Sequence, residues 1–291
     1  MAEVATSPTS DQLLVVIDPV ARRRDGESVR IAKDVLSGGA TTKVCLPDGP
    51  EEFARALARR GSRRPVVVGD DRALMRAVGL LHRQRELTGC ALSLVPVGGA
   101  LSLARSLGVP TGTVAAARAV LDGAERRMDL LVDDSDGVVL GAVRIPPTGT
   151  AGTADAAGTA GVREEAGAGL PWLRTYQSLV RTLVAVRPSR IATAPEGGPS
   201  RLRVEVDGET LVDLRQPVEA VSVVPGPGGR ARVEVRPVSV GAEASPLLAE
   251  GHTVTVSGAH FRYRADALVS GPVRTRTWVV RKDAWGLTLP T

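Results

Sequence analysis

Three segments put aspartate or glycine directly after an apolar run: Asp18-Pro19 after Leu13 to Ile17, Gly69-Asp70-Asp71 after Pro65 to Val68, and Pro96-Val97-Gly98-Gly99 after Leu92 to Val95. The chemistry these residue types offer is phosphate handling. Glycine lets backbone N–H groups approach phosphate oxygens, and a carboxylate beside it can hold magnesium. Asp71 is the best candidate for a metal-binding or catalytic carboxylate. Asp70-Asp71 suits helix capping as well, since short acidic side chains satisfy the free amides of a helix start. Gly98-Gly99 reads either as a phosphate turn or as a plain strand-to-helix loop. Arg72 and Arg105 follow these loops, and each suits either a phosphate contact or an exposed, solvent-facing role. Asp133, Asp134 and Asp136 are clustered, but Gly137 follows them, which is the pattern of a hairpin turn rather than a metal site.

Other chemistries are poorly served. His82, His252 and His260 lack metal-ligand spacing, and Cys45 and Cys90 are too few for a disulfide framework. The net charge is +5, carried almost wholly by arginine, since Lys33, Lys43 and Lys282 are the only lysines. A GC-rich genome produces that bias, so no nucleic-acid partner is expected from it. A nucleotide or an acidic lipid headgroup matches the charge equally well. No apolar run reaches the length of a membrane span, and the start, MAEVATSPTSDQ, lacks the order of a signal peptide. The expectation is a cytoplasmic protein whose membrane contact, if any, is peripheral.

The elements that must position these loops alternate in type. Apolar strand-like runs at 13–17, 42–46, 65–69, 92–95 and 128–132 are separated by helical patterns at 27–36, 51–60, 72–81, 101–107 and 113–121. Such alternation implies a parallel sheet covered on both faces, which binds ligands at the carboxyl ends of its strands. Thr148 to Gly169 is Gly, Ala and Thr with one charged patch, so residues 146–171 are read as a flexible linker, with an amphipathic helix from Trp172 to about Val186. Beyond it, Leu202 to Val206 runs into the Asp207-Gly208 turn, and strand candidates recur at 218–224, 231–235, 253–256, 261–264 and 273–280. The fold class expected is α/β plus all-β: an α/β domain over 11–145 and an antiparallel β-sandwich over 172–291. With 2% aromatic residues, aliphatic side chains must fill both cores.

At this point the motifs resemble those of the diacylglycerol kinase catalytic family, which shares its fold with NAD kinases. VVVGDDRALMRAVGLL aligns with the family's Gly-Gly-Asp-Gly-Thr motif and following Asn-Glu, placing Gly69 and Asp71 on the first glycine and the aspartate. Asp70, Arg72, Ala73 and Arg76 stand where the family has Gly, Gly, Thr and Glu. LVPVGGALSLARSLGVP resembles Pro-Leu-Gly-Thr-Gly-Asn-Asp-Phe-Ala-Arg with Leu-Gly-x-Pro, and keeps Pro96, Gly98, Ala104, Arg105, Gly108 and Pro110. AAARAVLDGAERRMDLL resembles the next helix and strand, with Asp129 in the aspartate position, and Asp18 replaces the asparagine of an Asn-Pro pair. Near the end, FRYRADALVSGPVRTRTWVVRKDAWGLTLP keeps Asp266 of Asp-Gly-Glu, the Gly271-Pro272 turn and the final Leu-x-x-Pro, while Leu268 replaces the glutamate.

The resemblance implies an ATP- and magnesium-dependent kinase acting on diacylglycerol or another lipid hydroxyl. Asp71 and Asp266 would be catalytic and Asp71 the metal ligand; Asp18, Gly69, Asp70, Arg72, Gly98, Gly99 and Arg105 would contact nucleotide. The substitutions oppose that chemistry. Asp70 sets a carboxylate where phosphate should sit, and Leu268 cannot act as a base on the acceptor hydroxyl. Weak or lost transfer follows as an expectation, with a non-catalytic protein binding a nucleotide, lipid or protein partner as the alternative.

Overall fold

The computed structural model describes residues 12–147, 199–238 and 245–291. β1 (Gln12–Ile17), β2 (Thr41–Cys45), β3 (Arg64–Gly69) and β4 (Ala91–Pro96) are parallel and lie in the order β2-β1-β3-β4. Their near-continuous apolar sequences arise because both faces are covered, and successive side chains point to opposite sides. Leu13, Val15, Ile17, Val66 and Val68 pack with Val29 and Leu36 of α2 (Gly26–Gly39) and Ala116 and Val120 of α6 (Thr113–Asp122). On the other face, Leu14, Val16 and Val67 join Phe53 and Leu57 of α3 (Pro50–Ala58) and Leu74, Ala77, Val78 and Leu81 of α4 (Asp71–Arg83). Two short helices, α1 (Pro19–Arg24) and α5 (Ser102–Ser106), follow β1 and β4.

The rest is strand-rich: β5 (Ala124–Asp133), β6 (Val138–Val139), β7 (Val143–Ile145), β8 (Ser200–Val206), β9 (Glu209–Val212), β10 (Pro217–Gly226), β11 (Arg230–Pro237), β12 (Leu247–Gly251), β13 (Thr253–Ala265) and β14 (Leu268–Leu289). These strands pair with one another antiparallel throughout. They run laterally β12-β11-β10-β7-β13-β14, with β8 also bridging β10 and β13. Val143, Val204, Val221, Val233, Val256 and Trp278 are among the residues of a second core, in which Tyr263 meets Trp278 edge-on with ring centroids 5.3 Å apart. β8 and β9 form the expected hairpin, with Asp207 and Gly208 at φ 50° and 86°, the left-handed pair such a tight turn requires.

The coarse division is therefore a helix-and-strand N-terminal part followed by an antiparallel strand-rich part. Their junction has detail that the sequence does not display. Val143 to Ile145 pairs with β10 and β13 of the strand-rich part. The segments 253–256 and 261–264 are one strand, β13, with a shift of register between Ser257 and Phe261. The strand expected over 273–280 is 22 residues long. The first stretch of β14 pairs with β13; after Asp283, at φ 48°, its last residues lie between β4 and β5. Trp278 belongs to the strand-rich core, whereas Trp285, Leu287 and Leu289 belong to the core beneath α4. The linker after Pro147 and the helix over 172–186 lie outside the described residues.

Candidate functional site

The loops after β1, β3 and β4 are neighbours because parallel strands end side by side. The Asp18 N–H donates to the Val68 carbonyl (2.9 Å), and the Val97 N–H donates to that of Gly69 (3.0 Å). Gly69 is held there by close packing: a Cβ would lie 2.6 Å from that of Ala73 and 3.0 Å from that of Asp18. Asp70 caps α4, accepting from the N–H groups of Arg72 (3.1 Å) and Ala73 (3.2 Å). Gly98 has φ 127°, a conformation open to glycine, and turns the chain back over Asp70, whose Cβ is 3.3 Å from where a side chain at Gly98 would begin.

Asp71 is 2% exposed. One oxygen accepts from the Leu103 N–H (2.9 Å) and the Ser102 hydroxyl (3.2 Å), the other from the Ala104 N–H (3.0 Å). These donors form the start of α5, so the carboxylate supplies the cap that Leu101, the residue at the N-cap position, lacks. Asp266 does the same from the far end of the chain. It accepts from the N–H groups of Leu140, Gly141 and Ala142, all at 2.8 Å, and its own backbone takes φ 51° at the β13–β14 turn. Burial pushes the Asp266 carboxyl above its ordinary range; the three amides oppose that rise, and the negative charge of Asp71 adds to it. The two candidate catalytic carboxylates thus converge. Leu103 of the loop held by Asp71 lies against Gly141 of the loop held by Asp266, where a Cβ would come within 2.8 Å of the leucine and 2.9 Å of the Asp266 oxygen.

Asp18 is also 2% exposed and also occupied. It caps α1 through the Val20 N–H (2.9 Å) and accepts from the Arg76 guanidinium at 2.7 Å, while Arg76 lies over the Phe53 ring. Asp18 and Arg76, two of the positions that depart from the resembled motifs, therefore depart together as an ion pair. Sequence reasoning named Asp18 but missed this partner, which is 58 residues away. Arg72 and Arg105 are exposed, and neither makes an ion pair among the described residues. A third arginine, Arg24 at the end of α1, was also missed. Its guanidinium lies 3.7 Å from where a side chain at Gly99 would begin, which brings positive charge to the Gly98-Gly99 turn.

The remaining aspartates serve the scaffold. Asp129 accepts from the Gly229 and Asp283 N–H groups, both at 2.7 Å, tying the β10–β11 turn and the bend in β14 to β5. Asp133 closes the expected turn through Ser135 and Gly137. Burial pushes its carboxyl up, but hydrogen bonds from Ser135 and Gly137 and the Arg276 charge outweigh that and hold it below the ordinary range. A magnesium ion bound by protein needs a carboxylate with free lone pairs. Asp71 receives three donors and Asp18 two, against about four acceptor sites per carboxylate, and no group of three potential ligands occurs among the described residues. A magnesium ion at these loops would have to rest on one carboxylate with spare lone pairs and on its own waters.

A parallel sheet with helices on both faces, whose strand-end loops carry the candidate site and whose last member comes from a strand-rich C-terminal part, defines a two-part α/β class. Within it, residues 12–132 match the family model of the diacylglycerol kinase catalytic domain. Structures of proteins assigned as diacylglycerol kinases from Bacillus anthracis str. Sterne share the fold: two have a TM-score of 0.66, at 12% and 13% identity, and a third 0.64 at 11%. Each alignment covers 96% of this chain and 97% of the other. No curated protein matches the chain.

Proposed function

We propose that this lipid-kinase-family protein binds a phosphate-bearing ligand of the nucleotide class at the Gly98-Gly99 turn and transfers phosphate weakly or not at all. The observation that carries this reading is that Leu103, Ala104 and Ser102 already take about three of the four acceptor sites of Asp71. A carboxylate that anchors a loop this way has little capacity left for a metal or a nucleophile. Positive charge is available instead from Arg24, which borders the turn, and from Arg72 and Arg105, exposed on the helices that follow the β3 and β4 loops; such charge offsets that of phosphate without a protein-held ion. Leu268 removes the carboxylate that the family resemblance would assign as base; loss of such a base costs about a hundredfold to ten-thousandfold in rate.

The second reading is an active ATP- and magnesium-dependent lipid kinase, favoured by the match over residues 12–132. Calorimetric titration with ATP, with and without magnesium, followed by a lipid acceptor panel, separates the two. Binding that does not need magnesium, with no lipid phosphorylated, supports the first reading. Magnesium-dependent binding with a lipid phosphorylated, both lost in Asp71→Asn, overturns it.

A further inference from the structure

We infer that the outer face of the strand-rich part, at the β13–β14 hairpin, docks on an anionic lipid surface. The argument starts from strand register. Ser222 of β10 lies opposite Arg144 of β7, Arg144 opposite Arg264 of β13, and Arg264 opposite Val269 of β14. Directly opposed residues share a face, with Cβ atoms about 5 Å apart, so Arg144 and Arg264 form a like-charge cross-strand pair, an arrangement that disfavours the sheet. Arg262, two residues before Arg264, points to the same side, and all three arginines are exposed.

No carboxylate among the described residues comes within ion-pair distance of these three arginines. Glu234 lies further along the same row, opposite Ser222, but is bonded to Arg236 at 2.8 Å. Asp266, at the hairpin turn, directs its carboxylate to the amides of residues 140–142. Among the described residues the face therefore carries concentrated positive charge without a counter-ion.

At the tip of the same hairpin, Leu268 and Val269 are each 52% exposed, followed by exposed Gly271 and Pro272. Val269, opposite Arg264, shares the arginines' face, while Leu268, opposite Ala265, points to the other side of the tip. Arginine stems beside Val269, with charges at headgroup level and an apolar tip that can enter the interface, match the chemistry of a membrane surface. A nucleic acid would use the charge but leave the apolar tip exposed to water. No described helix is long and apolar enough to cross a membrane, so the contact is peripheral. Docking would bring headgroups to the edge of the loop that Asp266 holds, and does not depend on whether phosphate is transferred there.

The test is flotation of the full chain with vesicles of phosphatidylcholine alone or with about 30 mol% phosphatidylglycerol, a fraction that gives a negative surface potential. The expected result is binding to the anionic vesicles only. Arg144→Gln/Arg264→Gln should weaken it at least about tenfold and flatten its salt dependence, since each interfacial arginine contributes about fivefold. Leu268→Ser/Val269→Ser should weaken it about threefold with the salt dependence unchanged. Removing opposed charges relieves repulsion, so a native melting curve is expected for the arginine variant. Equal binding to neutral vesicles, unchanged binding by the arginine variant, or tighter binding to duplex DNA that the tip variant leaves intact would overturn the proposal.

Discussion

The loops at the ends of the parallel strands and the outer face around Arg264 treat charge in opposite ways. In the loops, Asp18, Asp70 and Asp71 accept hydrogen bonds from backbone amides, as Asp266 does towards residues 140–142 from the β13–β14 turn, and Asp18 also faces Arg76. On the face, Arg144 and Arg264 stand opposed without a described carboxylate partner. Charges used to fix backbone stabilise the fold and lose reactivity; charges left unpartnered cost stability and remain available for a ligand. The region with catalytic residue types thus commits its carboxylates to backbone amides, and among the described residues the unmet charges lie in a region with an ordinary sheet sequence.

Substitutions sharpen that contrast, and the largest effect belongs to the loops. Asp71→Ala strips two buried amides of their acceptor and should lower stability by about 3 kcal/mol, read from urea midpoints. Unchanged stability with lost magnesium-dependent nucleotide binding would instead make Asp71 a metal ligand. Arg76→Leu leaves Asp18 buried without its counter-charge and should cost about 2 kcal/mol, less than a fully buried pair because Arg76 is one-third exposed. Adding Asp18→Asn should restore most of that loss, and a double-mutant cycle with no coupling would separate the two positions. Gly69→Ala forces a methyl against Ala73 and should cost about 1–2 kcal/mol in thermal or urea unfolding.

The pH dependence distinguishes the two carboxylates held by turns. Asp133 titrates below its ordinary 3.8, so its stabilisation is present above 3.8 and is lost as pH falls through its lower folded value. Asp266 titrates above 3.8, so its contribution is complete below 3.8 and declines as pH rises through its folded value. Asp133→Asn should therefore flatten the acid limb of a stability–pH curve; an unaltered limb would remove Asp133 from the account. The smallest effect lies on the outer face, where Arg264→Gln should raise stability by about 0.3 kcal/mol in low salt. A clear loss would mean that the arginine has a partner within the chain.

Local signals made much of this legible. Apolar runs, helical spacing and the Asp207-Gly208 turn located most elements within two or three residues. Asp70 was readable as a cap because its donors are two and three residues away. Asp71 and Asp266 were readable as candidates but not as anchors, since their donors lie 31–33 and 124–126 residues away. β12, with the sequence LLAEG, lacks the alternation that marks a strand and exists because β11 offers it an edge. The end of β14 was hidden because Arg281-Lys282-Asp283 reads as a polar break, although the chain only bends there and continues into the other core.

That last strand has a consequence for the order of assembly. Residues 285–289 sit between β4 and β5, strands made more than 150 positions earlier, and the carbonyl of Leu289 comes so close to Gly123 that a side chain there would not fit. The N-terminal sheet can pair β1 to β4 as it is synthesised, yet its core stays open beside β4 until the far end of β14 arrives. Completion of the N-terminal half is thus deferred until after the strand-rich half has been translated, and a chain cut short before Trp285 would leave both halves without a strand that they share.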